Sequence, residues 1–315
     1  MATLPTLGDA GGISVLDQRA LSDRLIELHV ASNALVGPEG MRILLPAGYD
    51  PEGSITYPVL YLLHGGLGGY RDWTDAGGIE ATTADTDLIV VMPSGGTGGW
   101  YRDWHDFGRG RAPRWETFHT SQLIGWVDDR LASRAHRSGR AIAGQSMGGF
   151  GALGYAARHP DLFCAAVSFS GAVNTRYPLV RSLICVSSVA HRRPPFAINR
   201  LPIVGTDDWA AHNPWDLAEG LRGLHVAITT GNGRPTQWRR PGDTRPKDLQ
   251  EHQVRAMTLS LHQRLDRLGI AHTFRDYGNI GHTFDNWRRA FADELPDLRA
   301  ALGATVGQAA SDANT

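Results

Sequence analysis

Short apolar runs and helical patterns alternate along most of the chain. Two near-continuous apolar runs, at residues 58–63 and 88–92, are bounded by glycine and proline, and each is followed by a glycine-rich loop. Such runs are typical of strands that are covered on both faces, as in a parallel sheet. Further strand patterns occur at residues 25–30, 41–45, 140–143, 163–169, 224–230 and 272–277. Helical patterns occur at residues 117–131, 147–158, 248–268 and 283–302.

This alternation predicts an α/β fold with a mostly parallel central sheet flanked by helices. No repeat or linker-like change of composition divides the chain, so we expect one domain over residues 1–302. Residues 177–223 contain several prolines and no clear alternation, and we expect them to form a cap or a long loop over the sheet edge. Residues 303–315 have the composition of a disordered tail.

Composition and charge argue against several classes of protein. Lys and Arg number 31 and Asp and Glu number 32, which gives a formal net charge of −1, whereas proteins that bind nucleic acid or a membrane surface usually carry a basic excess. No apolar run reaches the ~20 residues of a membrane span. Residues 1–12 lack the basic and apolar regions of a signal peptide, and the cellular compartment stays open.

We predict that Cys164 and Cys185 are unpaired, with one bridge between them as the alternative.

The most informative segment is Gly144-x-Ser146-x-Gly148, which follows an apolar strand and precedes a helix of small residues. A serine on such a tight strand-to-helix turn exposes its hydroxyl above the sheet, and the flanking glycines allow the chain to approach closely. In a chain with 38 glycines, a chance match to the five-residue pattern alone is plausible. Its strand–turn–helix context favours a catalytic nucleophile at Ser146.

A serine nucleophile needs a base that is oriented by an acid, and with this serine motif the chain order is serine, acid, histidine. His282 lies in a glycine-rich loop between the last predicted strand and the last predicted helix, from which it can reach the nucleophile. The candidate acids Asp243, Asp248 and Glu251 all follow the strand at residues 224–230. Glu251 falls at the edge of the apolar stripe of the next helix, and Asp248 points further toward solvent. Spacing alone does not decide between them.

Acyl chemistry also needs backbone N–H groups that stabilise an oxyanion. Met147, directly after the predicted nucleophile, is expected to supply one of them. Gly66, in the glycine-rich loop after the strand at residues 58–63, is expected to supply the second. Trp104 also follows a predicted strand, where an aromatic side chain can line a substrate pocket or anchor the loop itself.

No sequence pattern supports a cofactor or a metal. Residues 149–154 match the G-x-G-x-x-G fingerprint of dinucleotide-binding proteins, but the acid expected about 20 residues later is missing. H-E-x-x-H, C-x-x-C and Walker patterns are absent from the sequence. We therefore expect no cofactor, no metal and no nucleic-acid partner. The expected partner is a small-molecule ester, and the oligomeric state stays open.

Taken together, these residues resemble the putative-esterase branch of the α/β-hydrolases, which includes esterase D and the mycobacterial antigen 85 mycolyltransferases. The resemblance extends from about residue 25 to residue 298. It rests on Leu62-Leu-His-Gly65, Val91-Met-Pro-Ser-Gly-Gly96 with Tyr101-x-Asp103-Trp104, Gly144-Gln-Ser-Met-Gly-Gly149, Thr230-Gly-Asn-Gly233 and Gly281-His282. It implies an α/β-hydrolase fold, a triad of Ser146, Glu251 and His282, and oxyanion amides at Gly66 and Met147. Glu251 becomes the preferred acid because antigen 85 proteins carry a glutamate early in the corresponding helix.

The chain also departs from the mycolyltransferases. His64 stands where they typically carry an aspartate, and Phe284 stands where they carry a tryptophan two residues after the histidine. Both positions lie near the sugar-binding end of that family's site, which argues against trehalose as an acyl acceptor. We expect His64, Trp104 and Phe284 to contribute to substrate binding.

The sequence therefore predicts a serine carboxylesterase that hydrolyses carboxylic esters through an acyl-enzyme on Ser146. An acyltransferase that passes the acyl group to an alcohol or a sugar is the alternative. A non-catalytic binding protein on the same scaffold is a lesser alternative, since some relatives have lost the catalytic serine. The presence of Ser146, Glu251 and His282 argues against it.

Overall fold

A mixed sheet forms the centre of the protein. The computed structural model describes residues 4–105, 112–190, 206–234 and 248–303, and in these residues the sheet has nine strands. In chain order they are β1 (Ile13–Ala20), β2 (Leu25–Ser32), β3 (Glu39–Leu44), β4 (Val59–Leu63), β5 (Ile89–Pro93), β6 (Arg140–Gln145), β7 (Ala165–Phe169), β8 (His225–Thr230) and β9 (Thr273–Asp276). Their order across the sheet is β1-β2-β3-β5-β4-β6-β7-β8-β9.

The sheet is antiparallel at one end and parallel over the rest. The pairs β1–β2, β2–β3 and β3–β5 are antiparallel. Every pair from β5 through β4, β6, β7 and β8 to β9 is parallel. Parallel neighbours need crossover connections, and the long segments between these strands supply them. The predicted mostly parallel sheet is confirmed, and the carboxyl ends of its parallel strands lie at one edge.

Helices cover both faces of this sheet. In chain order they are α1 (Asp72–Asp75), α2 (Ile79–Thr82), α3 (Trp115–Thr117), α4 (Ile124–Arg130), α5 (Met147–Arg158), α6 (Pro178–Ala190), α7 (Thr206–Ala210), α8 (Leu249–Arg267) and α9 (Phe284–Ala301). A π-helical turn, Phe118–Leu123, joins α3 to α4, and 3-10 turns occur at Arg137–Gly139 and Ala218–Leu221.

Strand β4 explains why the central strands appear as continuous apolar runs. Its alternate residues Val59, Tyr61 and Leu63 pack into one hydrophobic cluster, which also receives the apolar stripe of α8. The intervening Leu60 and Leu62 pack into a second cluster, on the α9 side of the sheet. Successive side chains of a strand point to opposite faces, so a strand covered on both sides needs apolar residues at every position.

Several elements differ from the sequence-based prediction. Strand β1 and the short helices α1 and α2 were not predicted, and the predicted helix at residues 117–131 contains the π-helical turn. Helix α6 lies inside the segment predicted as a cap or loop, of which residues 191–205 are outside the described residues. Residues 304–315 of the predicted tail are also outside them. Cys164 and Cys185 are unpaired, as predicted. Of the helices in the described residues, none has both the length and the apolar character needed to cross a membrane.

Candidate active site

Ser146 occupies a strained turn between β6, which ends at Gln145, and α5, which begins at Met147. Its backbone angles are φ 55° and ψ −118°, a combination that few residues other than glycine adopt. Neighbouring backbone groups hold this conformation: the Ser146 N–H donates to the Phe169 carbonyl at 2.9 Å, and the Ser146 carbonyl accepts from the Phe150 N–H at 3.2 Å. The turn therefore presents the serine side chain at the carboxyl edge of the sheet.

The glycines around Ser146 are required by close backbone approach. A Cβ atom on Gly148 would lie 2.5 Å from the Leu63 carbonyl oxygen at the end of β4. A Cβ atom on Gly144 would lie 2.5 Å from the carbonyl carbon of Gly148. Both distances are far below van der Waals contact with atoms that cannot move aside. The two glycines that flank Ser146 therefore allow the close approach of the chain that the serine motif predicts.

His282 lies between Ser146 and Glu251. Its Nε2 atom is 2.9 Å from Ser146 Oγ, and its Nδ1 atom is 2.7 Å from Glu251 Oε2. Because a carboxylate only accepts hydrogen bonds, Nδ1 carries the ring proton and the Nε2 lone pair faces the serine hydroxyl. The imidazole is 7% exposed and the carboxylate is 0% exposed. Such an arrangement can transfer the serine proton to the imidazole.

Glu251 lies in the first turn of α8, and the oxygen of its buried carboxylate that does not face His282 accepts hydrogen bonds from neighbouring groups. Oε1 accepts from the Ser170 hydroxyl at 2.8 Å and from the Gly231 N–H at 2.6 Å. Both donors lie directly after strands, Ser170 after β7 and Gly231 after β8. A buried carboxylate needs such donors, since burial without them carries a large free-energy penalty. They also fix which oxygen faces His282.

Asp248, another candidate acid, has a different place. It caps the amino end of α8, where Oδ1 accepts from the Glu251 N–H at 3.0 Å. Its Oδ2 accepts from the His282 backbone N–H at 2.6 Å. The Asp248 carboxylate thus holds the backbones of Glu251 and His282, whose side chains contact each other. The signal in the sequence is the capping pattern Asp248-x-x-Glu251, which the sequence analysis did not use. Asp243, the third candidate, lies outside the described residues.

The two residues predicted to form an oxyanion hole lie beside each other. A Cβ atom on Gly66 would be 3.9 Å from the Met147 side chain, and one on Gly65 would be 3.3 Å from Ser146 Cβ. Met147 is the first residue of α5, so its N–H has no acceptor within the helix. The next residue in the loop, Leu67, is 93% exposed and has φ 62°. The loop therefore reaches Ser146 with an apolar side chain at its tip.

The His64 side chain, predicted to bind substrate, lies under this loop. Its Nε2 atom accepts from the Gly95 N–H at 2.8 Å, and its Nδ1–H donates to the Gly65 carbonyl at 2.7 Å. The Tyr101 hydroxyl donates to the His64 carbonyl at 2.9 Å. Burial lowers the pKa of His64. Both ring nitrogens are used by backbone groups, so the imidazole joins the loops after β4 and β5 and has no free nitrogen for a substrate.

The other two predicted substrate contacts are also largely packed against the protein. Trp104 is buried, and its indole N–H donates to the Gly99 carbonyl at 2.9 Å, which anchors the loop after β5. Phe284 is half-buried, with edge-to-face contacts to Trp73 and Trp287 at ring-centroid distances of 5.7 and 5.0 Å. Trp287 in turn packs edge-on against the His282 ring at 4.8 Å. Phe284 and Trp287 therefore stabilise the wall behind the imidazole.

The geometry agrees with the comparisons to known proteins. A family model described as "Putative esterase" matches residues 32–298. The chain belongs to this esterase family. The expected resemblance is thereby confirmed. The chain is 33% identical over 310 residues to Esterase Rv1288 of Mycobacterium tuberculosis, an alignment that covers 96% of this chain and 65% of that protein. The chain thus spans less than two thirds of the length of this curated relative.

Two other known proteins are also similar to most of the chain. Identity to the Diacylglycerol acyltransferase/mycolyltransferase Ag85A of Mycobacterium leprae is 29% over 270 residues, covering 81% of this chain and 79% of that protein. The crystal structure of Mycobacterium tuberculosis MPT51 superposes with a TM-score of 0.68 at 20% identity, covering 84% of this chain and 94% of that chain. The fold is the α/β-hydrolase fold in a single domain, as predicted.

Proposed function

We propose that this member of the esterase family is a serine carboxylesterase that works through an acyl-enzyme on Ser146. The observation that supports this proposal most strongly is the position of the His282 imidazole. Its Nε2 atom lies 2.9 Å from Ser146 Oγ, and its Nδ1 atom lies 2.7 Å from Oε2 of the buried Glu251. Serine hydrolases use this arrangement to activate a hydroxyl that is a weak nucleophile by itself.

Each residue has one role in the proposed reaction. Ser146 Oγ attacks the ester carbonyl while His282 Nε2 removes its proton, and the Glu251 carboxylate stabilises the resulting imidazolium. The N–H groups of Gly66 and Met147 stabilise the oxyanion of the tetrahedral intermediate. His282 then gives its proton to the leaving alcohol, and water, deprotonated by the same imidazole, releases the acid. The mechanism uses only groups of the chain and water.

Hydrolysis of simple esters tests this proposal. Wild type and Ser146→Ala are compared on p-nitrophenyl acetate, butyrate and octanoate. We expect kcat to fall at least about 10⁴-fold in the variant, because the residual rate comes only from binding and the oxyanion donors. The chain-length profile of the wild type measures the size of the acyl site. Equal rates for wild type and Ser146→Ala would disprove the proposal.

Acyl transfer is the second candidate, and the 29% identity to a mycolyltransferase over 81% of this chain favours it. Hydrolase and transferase share the acyl-enzyme and differ in whether water or an alcohol accepts the acyl group. Product analysis with glycerol or trehalose present separates them, since acceptor ester exceeding free acid indicates transfer. We expect free acid to dominate and trehalose to be a poor acceptor, because His64, which stands where the mycolyltransferases typically carry an aspartate, has no free ring nitrogen for a sugar hydroxyl.

A binding protein without catalytic activity is the remaining candidate. It predicts that a fluorophosphonate does not react with the chain. The proposed esterase is expected to be labelled at Ser146 and to lose the label in Ser146→Ala. A labelled wild-type chain that is inactive on all three p-nitrophenyl esters would favour an acyltransferase with a demanding substrate.

A further inference from the structure

Three metal-binding side chains come together where α8 ends, away from Ser146. His262 and Asp266 lie one turn apart on α8, and His272 lies just before β9. His262 Nδ1 is 2.7 Å from His272 Nε2. The Asp266 carboxylate oxygens lie 3.6 Å from His262 Nε2 and 3.9 Å from His272 Nε2. The spacing of these residues matches none of the metal-site patterns sought in the sequence.

Both imidazoles are held in place by other contacts. His272 Nδ1 is 2.8 Å from the Ile270 carbonyl, which can only accept, so Nδ1 carries the proton and the Nε2 lone pair points at His262. This imidazole is only 4% exposed. The His262 ring stacks on Phe274 with ring centroids 4.4 Å apart and an interplanar angle of 15°. A histidine whose second nitrogen donates to a carbonyl is the usual form of a metal ligand, because the contact fixes the tautomer and the ring orientation.

Hydrogen bonds within the cluster join the two imidazoles to each other but do not join Asp266 to either of them. The contact between the two rings needs a single proton, which His262 Nδ1 donates to His272 Nε2. The distances from Asp266 to the imidazole nitrogens exceed those of hydrogen bonds. A cation in place of the shared proton would draw on both imidazoles and the carboxylate at once. At metal–nitrogen distances of ~2.0–2.1 Å the two nitrogens of a tetrahedral site are roughly 3.3 Å apart, so the rings need to separate by about half an ångström.

We propose that His262, Asp266 and His272 form a binding site for a transition-metal dication such as Zn²⁺. Two imidazole nitrogens and one carboxylate favour Zn²⁺, Ni²⁺ or Cu²⁺ over Ca²⁺ and Mg²⁺, which prefer oxygen ligands. Asp266 is 58% exposed, so water can complete the coordination. The site is independent of the proposed esterase reaction, because His262 follows Glu251 by eleven residues, about 16 Å along the helix axis.

A bound ion would join the end of α8 to the start of β9. Helix α8 carries Glu251, and β9 leads to the loop that carries His282. The ion would therefore stabilise the folded arrangement of these two residues without taking part in the chemistry. An ion that binds only the folded chain raises its thermal stability in proportion to the logarithm of the ion concentration.

The experiment measures Zn²⁺ binding by equilibrium dialysis and thermal unfolding on the untagged full chain. Fluorophosphonate-treated protein is measured in parallel to identify zinc that binds at His282. Wild type is compared with His262→Gln, His272→Gln and Asp266→Asn. The control is His252→Gln, an exposed histidine on the same helix. Asp266→Asn changes an exposed side chain and therefore reports on binding even where a buried histidine variant fails to fold.

We expect one Zn²⁺ per wild-type chain, unchanged by the fluorophosphonate and by His252→Gln, together with a zinc-dependent rise in Tm. Affinity should fall by about 100-fold or more in the two histidine variants and by about tenfold in Asp266→Asn. A wild-type chain that binds no zinc, or variants that bind it as tightly as wild type, would overturn the proposal.

Discussion

The two sides of the candidate site are built in different ways. On the nucleophile side, Ser146, its flanking glycines and the Met147 amide lie in one five-residue segment, and backbone hydrogen bonds to β7 and within α5 hold the strained turn. On the acid–base side, Glu251 and His282 come from separate elements, and the Asp248 carboxylate accepts a hydrogen bond from the backbone N–H of each. Local backbone geometry thus determines the first side, and hydrogen bonds between distant segments determine the second.

The largest expected effect is on the acid–base side. Glu251→Gln should lower kcat by about 10⁴-fold, because an amide facing His282 Nδ1 favours the wrong tautomer and cannot stabilise the imidazolium. Steady-state kinetics on a p-nitrophenyl ester checks this, with circular dichroism to confirm that the variant is folded. Activity equal to wild type would remove Glu251 from the proposed mechanism.

Two glycines of α5 test the nucleophile side. Gly148→Ala places a methyl group 2.5 Å from the Leu63 carbonyl oxygen, and we expect it to lower the free energy of unfolding by about 3 kcal/mol. Gly154→Ala on the same helix is the matched control, because a Cβ atom there has no neighbour within 4 Å. It should stabilise the protein by up to about 1 kcal/mol, since alanine loses less conformational entropy in a helix. Denaturant titration measures both.

Asp248→Ala tests the acid–base side without changing a group that contacts Ser146. It removes the carboxylate that accepts from the backbone N–H groups of Glu251 and His282. We expect kcat to fall by roughly 10–100-fold with little change in KM, as the imidazole loses its alignment. The lost helix cap should lower the free energy of unfolding by about 1 kcal/mol. Asp248→Asn keeps oxygen and size and should recover part of kcat. An unchanged kcat in Asp248→Ala would show that the histidine loop is held by its other contacts alone.

The last prediction concerns the pH dependence of stability and the loop after β5. His119 donates to the Ser94 carbonyl, and burial lowers its pKa to about 3. The unfolded chain, with a histidine pKa of about 6.5, binds one more proton below that pH. The free energy of unfolding therefore decreases as pH falls, by about 2 kcal/mol from this residue between pH 7 and pH 5. Denaturant titration at both values should show a smaller decrease in His119→Gln than in wild type, and an identical decrease would contradict this assignment.

Local pattern predicted most of the fold. The helix at residues 147–158 was predicted at its observed bounds, and the central strands within about two residues, because both faces of these elements are buried. Strand β1 was missed because it is an edge strand with several exposed polar residues and a register shift between Val15 and Asp17. Helices α1 and α2, of four residues each, are too short to show a helical period.

The site was predictable only in part, because some of its residues are marked by their local sequence and others by contacts with distant segments. Ser146 and His282 lie in glycine-rich turns next to predicted strands, which single them out. Asp248 and Glu251 lie within one helical turn, so no spacing argument separates an acid that faces the imidazole from one that holds its backbone. The His64 ring nitrogens contact the Gly65 carbonyl and the Gly95 N–H, and because Gly95 lies 31 residues further along the chain, the sequence around His64 does not indicate that both nitrogens are used.

The His64 contacts have a consequence for loop exchange between members of this family. Since one imidazole accepts from Gly95 and donates to Gly65, the loops after β4 and β5 are suited to be transplanted as a pair. A graft of the first loop without this histidine leaves the buried Gly95 amide without its acceptor, at a cost of about 1–3 kcal/mol. Gly66 would then shift relative to Met147, so a chimaera made to alter substrate range would lose the proposed oxyanion geometry.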